Sequence, residues 1–262
     1  MSAAHGEPDF ELMPKIERAM ARNLQDYVVA YRHLVPQVGT ECIEVAGGVA
    51  AFTGIDSPLT TVKGTGAQIS TRDLEEIESF FRDHHAPSVT IESAPWLNEE
   101  SKALLVDRGY GVAGQENVVA TTSGSPRSDE ALRTEPIPVH EWPEVLRRCS
   151  GLPDESPMKE LVTASAHLTN AALYGLREGG RWIACAQSVT CNSVVIFGND
   201  ATLPEARGRG AQTALSEERH AALPAGTIVM AEVAPGSASE RNYLRCGFQI
   251  VFPRKHYARV LP

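Results

Sequence analysis

The stretch Thr202-Leu203-Pro204-Glu205-Ala206-Arg207-Gly208-Arg209-Gly210-Ala211-Gln212 lies between a strand-like run and a helix-like run, and its reading decides the fold. An Arg, two glycines one residue apart and an Ala open the helix. Glycine lets the backbone approach a ligand closely and take turn conformations closed to other residues. The first free amides of the helix then face an anion with the dipole behind them, so the segment makes a place for phosphate. A P-loop needs Lys-Ser/Thr after its last Gly, where Ala211-Gln212 stand. A dinucleotide fingerprint needs a third Gly or Ala where Thr213 stands, and it belongs early in a βαβ unit rather than near the end of the chain.

The flanks narrow the choice. Ala211, Ala214, Leu215, Arg219 and Ala222 recur at helical spacing, and Leu223-Pro224-Ala225-Gly226 ends the helix. Thr227 to Val233 is a mostly apolar, partly β-branched run of strand length. Pro235-Gly236-Ser237-Ala238-Ser239 starts another helix, which Asn242-Tyr243-Leu244-Arg245-Cys246-Gly247-Phe248 closes, with Gly247 suited to a left-handed helix end.

With these residues in place the C-terminal half resembles the GNAT superfamily of N-acetyltransferases. Arg207 and Gly210 match its acyl-coenzyme A loop, Arg/Gln-x-x-Gly-x-Gly/Ala, with Gln212 in the last position. Tyr243, Gly247 and Phe248 match its second motif, Leu-Tyr-x-x-x-Gly-Phe, with Asn242 where Leu is usual.

The first half of the chain carries an echo of that closing run. Leu104-Leu105-Val106-Asp107-Arg108-Gly109-Tyr110 repeats the pattern of helix, Gly, aromatic and strand about half a chain earlier, which suggests an internal duplication. Ahead of it, Met13, Ile16, Met20, Leu24, Tyr27, Tyr31 and Leu34 predict a long amphipathic helix over 10–34. A hairpin is expected over 42–53, a helix over 74–81 led by Ser70-Thr71-Arg72-Asp73, a short strand at 89–92 and a helix over 97–107. Gly64-Thr65-Gly66 has no preceding Arg and no helix directly after it, so it reads as a structural turn. Ser123 to Glu130 has linker composition. The order resembles tandem-GNAT proteins with a degenerate N-terminal copy. The expected class is therefore α/β (α+β): two tandem GNAT-like domains, 1–124 and 125–262, each a mixed, mostly antiparallel sheet flanked by helices.

Composition sets outer bounds. The 262 residues exceed one usual domain, 42% are hydrophobic and 22% charged, as in soluble globular chains. Apolar runs fall short of the roughly 20 residues a membrane-spanning helix needs, and the polar, acidic start does not read as a leader. Five scattered cysteines without a CxxC pair argue against a disulfide framework or zinc site. The expected address is cytoplasmic. All of the net charge of −9 falls in residues 1–124, which argues against nucleic acid and would steer amines. His84-His85, His167 and His220 show no metal-ligand spacing and are expected at the surface or at helix ends.

The resemblance implies acetyl transfer from acetyl-CoA to a primary amine, on a small molecule or an amino terminus, with the acceptor in the cleft between the halves. It implies that backbone groups of Thr202 and Leu203 pair with the pantetheine arm. Amides of Arg209, Gly210, Ala211 and Gln212, with Gly208 and the Arg207 and Arg209 side chains, would face the pyrophosphate. Ser239 and Asn242 would reach the cofactor amides. Tyr243 would be the acid that protonates the leaving thiolate, and Glu232 the base, with Asp200 as second choice. The alternative is a non-catalytic acyl-CoA-binding or regulatory protein that kept the cofactor site.

Overall fold

The computed structural model describes residues 12–124 and 133–262. The first residues of the predicted N-terminal helix and most of the predicted linker, from Ser125 on, lie outside the described residues. The N-terminal half runs α1 (Leu12–Leu34), β1 (Glu41–Val45), β2 (Gly48–Phe52), β3 (Thr61–Lys63), α2 (Thr71–Asp83), β4 (Ser88–Ser93), α3 (Glu99–Asp107) and β5 (Gly111–Thr122). The C-terminal half runs β6 (Thr134–Pro136), α4 (Trp142–Ser150), α5 (Met158–Ala166), β7 (Ala171–Glu178), β8 (Arg181–Cys191), β9 (Val194–Thr202), α6 (Ala211–Ala221), β10 (Ile228–Val233), α7 (Ala238–Arg245) and β11 (Gln249–Val260). The mixed α/β class and the order strand, loop, helix, strand, helix, strand are as expected. Two short strands were not: β3, inside residues 54–66, which are rich in Gly, Thr and Pro, and β6.

The strands of both halves join in one sheet of eleven, in the order β1-β2-β3-β4-β11-β5-β10-β9-β8-β7-β6. Each half gives its last strand to the other. β5 pairs antiparallel with β10, β11 pairs antiparallel with β4, and the two exchanged strands pair with each other through the centre. Periodicity marks a strand's existence and its buried face but not its neighbour, so this exchange had no local signal.

The duplicated helix ends are built alike. Tyr110 N–H donates to Leu105 O at 2.9 Å, and Phe248 N–H donates to Tyr243 O at 3.1 Å. Gly109 and Gly247 sit between cap and strand with φ of 84° and 87°. Tyr110 and Phe248 then bury themselves beneath the helices they terminate.

Helix α1 lies across one face of the sheet. Its stripe of Met13, Ile16, Met20, Leu24, Tyr27 and Tyr31 is buried, each large side chain stabilising the fold by about 1.5–3 kcal/mol on transfer from water. Its approach explains the turn at Gly64: a Cβ there would stand 2.8 Å from Ala21 Cβ and from Glu17 O. That glycine, left-handed at φ 74°, makes the structural turn expected of Gly64-Thr65-Gly66 and also lets the helix pack close.

Candidate functional site

Strands β9 and β10 run parallel and pair only through Ile228↔Val194, Val229↔Val195 and Met230↔Ile196. Beyond Ile196, β9 continues along β8 as far as Thr202 but has left β10. A cleft of about 700 Å³ lies between the end of β9, the start of α6 and α7. A second hollow, of about 500 Å³ around Phe52, His84, His85 and Glu160, holds none of the motif residues.

At the mouth of the cleft α6 begins on Gly210, which is left-handed at φ 81° and supplies no side-chain cap. The first amides of a helix have no carbonyl within it to bind, and together with the dipole they form an anion site. The matching helix of the other half is closed. Ser70 accepts from Asp73 N–H while the Asp73 carboxylate accepts from Ser70 N–H, a capping box that places a negative charge where an anion would go. One Gly against a Ser-x-x-Asp box is what leaves one helix start open and the other closed.

Thr202, Arg207, Gly208, Gly210, Ala211, Gln212, Ser239, Asn242 and Tyr243 all line the cleft. Leu203 and Arg209 do not. Leu203 is buried in the core and its N–H donates to Ile183 O at 2.9 Å, so that amide is spent on β8. Arg209 turns away to a two-pronged pair with Glu178 at 2.9 and 3.1 Å. Arg207 Nε donates to Thr202 O at 3.1 Å. Gln212 donates from Nε2 to Ala201 O at 3.0 Å and to Thr202 Oγ1 at 2.8 Å. Two side chains of the loop thus satisfy the strand end on which the resemblance would lay a pantetheine arm. Asn242 Oδ1 accepts from Arg245.

Deeper in, Tyr243 donates its hydroxyl to Asp200 Oδ2. Asp200 is held by Arg219, at 2.8 Å to Oδ1 and 3.0 Å to Oδ2. The Arg219 side chain is 0% exposed, donates to Gln187 O at 3.0 Å and stacks 3.9 Å over the Phe197 ring. Burial, then the neighbouring Asp200 charge, pushes the Tyr243 phenol well above its usual range, so it keeps its proton at neutral pH. His220 at the end of α6 is buried rather than exposed, packed on Phe197 and Phe248. Burial, with Arg219 adding, lowers its pKa.

Glu232 lies apart from Tyr243, on the face covered by α1. It lines a separate cavity of about 200 Å³ and is ion-paired to Lys63 at 3.1 Å and to Arg254. Arg254, fully buried on β11, also meets Glu17 of α1 and Glu116 of β5, while Lys63 meets Glu92 of β4 at 2.8 Å. This row of charges crosses the exchanged strands of both halves. Sequence reading missed Lys63, Arg254, Glu116 and Arg219, because each is an ordinary charged residue until the sheet aligns them. Among the described residues the one trio at ligand-like separation is Glu92, Glu116 and His256, and its two carboxylates are already ion-paired, Glu92 to Lys63 and Glu116 to Arg254.

No protein-family model and no curated protein sequence matches this chain. Solved structures do. A GCN5-related N-acetyltransferase from Kribbella flavida superposes with a TM-score of 0.65 at 16% identity, covering 93% of this chain and 95% of that one. A tandem GNAT protein from the clavulanic acid biosynthesis pathway covers 97% and 96% with a TM-score of 0.56 at 12% identity. A GCN5-related N-acetyltransferase from Sphaerobacter thermophilus covers 73% and 67% with a TM-score of 0.55 at 16% identity. The parted β9 and β10, the open helix start and these superpositions agree: this chain has the GNAT fold in its tandem form.

Proposed function

We propose that the protein is an N-acetyltransferase, moving an acetyl group from acetyl-CoA directly to a primary amine. One observation carries the reading: the uncapped start of α6 at Gly210 opens onto a cleft between parted strands. The donor set fits a pyrophosphate, since the loop offers free helix amides and Arg207, and the one carboxylate of the lining, Asp200, is tied to Arg219 and Tyr243. A cleft of about 700 Å³ is also within the common range for small-molecule sites. In this reading residues 125–262 bind the cofactor and residues 1–124 have an acceptor-side or structural role, in the cytoplasm.

Bound acetyl-CoA would supply a thioester. The amine nitrogen forms the new C–N bond as the C–S bond breaks, and one proton passes from nitrogen to sulfur. Tyr243 holds a proton through neutral pH and is the donor for the departing sulfur. Asp200 orients that hydroxyl, and Arg219 fixes Asp200. Glu232 is engaged by two cations, so its part is attraction of the amine more than removal of its proton.

The second reading, an acyl-CoA-binding protein without transfer, draws on the Gln212 amide lying across the strand end. Calorimetric titration of acetyl-CoA into wild type and into Arg207→Ala/Gly210→Glu tests the shared site. Micromolar binding abolished by the double change is the expected result, and no binding to wild type would sink both readings. Release of free thiol when an amine is added separates transfer from binding alone.

A further inference from the structure

On the face of the sheet opposite the cleft, α1 crosses the same strands and leaves the cavity of about 200 Å³. Its polar lining is Asn23, Tyr27, Lys63, Gln187, Asn199 and Glu232, with Met20, Leu24 and Leu59 as apolar wall. Asn199 lines this cavity and the next residue, Asp200, lines the cleft. Strand β9 bulges here, between its pairings Gln187↔Gly198 and Cys185↔Ala201, with Asn199 left-handed at φ 53°, and a bulge re-aims the side chains it holds. The two spaces therefore stand back to back at the level where β9 has left β10.

The lining has a definite chemistry. Asn23 Oδ1 is buried and has no hydrogen-bond partner among the described residues, so it calls for a donor. Burial pushes the Tyr27 hydroxyl up to about 12, so it remains a neutral hydrogen-bonding group. Behind Glu232 the charge row holds four carboxylates, Glu17, Glu92, Glu116 and Glu232, against two permanent cations, Lys63 and Arg254. His256 beside Glu116 is the remaining group in the row able to take positive charge, and even protonated it leaves a surplus of negative charge. Buried charge of one sign attracts a counter-charge and repels its like. The volume equals roughly seven water molecules at about 30 Å³ each, enough for a few heavy atoms and too little for a folded-back peptide.

We propose that this cavity is the acceptor site and that its ligand is a small cationic amine without carboxylate or phosphate, such as a diamine or an amino alcohol. Its donors meet Asn23 and its charge meets Glu232, so the N-terminal half sets acceptor specificity. The inference rests on the acetyl-transfer reading. The bound ammonium sheds one proton to solvent, and the neutral nitrogen reaches the thioester carbon through the parted strands. Nitrogen gives up a second proton as sulfur gains one.

The test measures thiol release by the full chain at saturating acetyl-CoA with four amines: 1,4-diaminobutane, 2-aminoethanol, 3-aminopropanoate and an unblocked tripeptide. The first two are expected to show kcat/KM at least tenfold above the last two. Asn23→Leu should raise KM for the preferred amine at least tenfold and leave KM for acetyl-CoA unchanged, while Asn23→Asp, of the same shape, should lower the amine KM. Thermal melts of both variants confirm folding. Preference for 3-aminopropanoate or the tripeptide, or Asn23 variants that leave the amine KM in place, overturns the inference. Acetyl-CoA binding by calorimetry with no turnover of the four amines overturns it while sparing the cofactor site. Absence of acetyl-CoA binding overturns both.

Discussion

The hydroxyl of Tyr243 on α7 donates to the carboxylate of Asp200 on β9, 43 residues earlier in the chain. The same carboxylate is gripped by the fully buried Arg219. Three elements of the cleft are thereby tied at one point, and the phenol is aimed by a group that is itself fixed.

Tyr243→Phe keeps the ring on Phe248 and removes the proton. The expected cost is about 1.5–3 kcal/mol of stability, for one hydrogen bond to a charged partner. Thiol release with amine should fall about 10²-fold or more, as for loss of a general acid. Because burial and Asp200 hold the phenol well above its usual range, wild-type activity should show no alkaline loss from this group below about pH 10. Urea denaturation and a pH–rate profile check the two halves of the prediction.

Gln212→Gly removes the amide that bonds Ala201 O and Thr202 Oγ1. It frees the strand end for a ligand and restores the small residue of the acyl-CoA loop. Calorimetry should find acetyl-CoA bound about tenfold more tightly, near 1.4 kcal/mol. Weaker binding would mean that the Gln212 side chain itself holds the cofactor.

His256 carries the pH dependence of the central row. The Glu116 carboxylate, 3.7 Å from its Nε2, raises its pKa against burial, so its stabilisation is complete below about 6.5 and is lost as the pH climbs through the raised value. Glu116 moves the other way. Burial pushes it up, but His256, Lys63 and Arg254 outweigh that and hold it at about 2, so its stabilisation is present above about 4.5 and fades as the pH falls toward 2. The gap in melting temperature between wild type and His256→Asn should be widest between these limits and shrink above pH 6.5. An unchanged gap up to pH 9 would contradict it.

Residues 1–124 expressed alone should not fold. Without β11, which pairs with both β4 and β5, those two strands have no common partner and bare edges remain. Residues 125–262 alone should fail for the same reason at β10, which would lose β5 and keep only its short pairing with β9. Co-expression of the two pieces should recover a soluble complex, read by size-exclusion chromatography and amide exchange.

What the sequence determined is local. The stripe Met13 to Leu34 gave α1 by its helical period, and Gly109-Tyr110 and Gly247-Phe248 revealed the duplicated helix ends because a left-handed residue and an aromatic are needed there. The open start of α6 was legible in Gly210, and the closed start of α2 in Ser70 and Asp73. These features depend on neighbours within a few positions.

Tertiary structure alone decided the rest. The exchange of β5 and β11 follows from which strand edges meet, and no residue spells that out. Only in the folded chain does Arg209 reach Glu178, Leu203 N–H reach Ile183, and Lys63, Glu232 and Arg254 close into one row. Charge and hydrogen-bonding capacity are written in the sequence, but a partner is assigned only by distance, and distance here is set by a sheet that both halves build together.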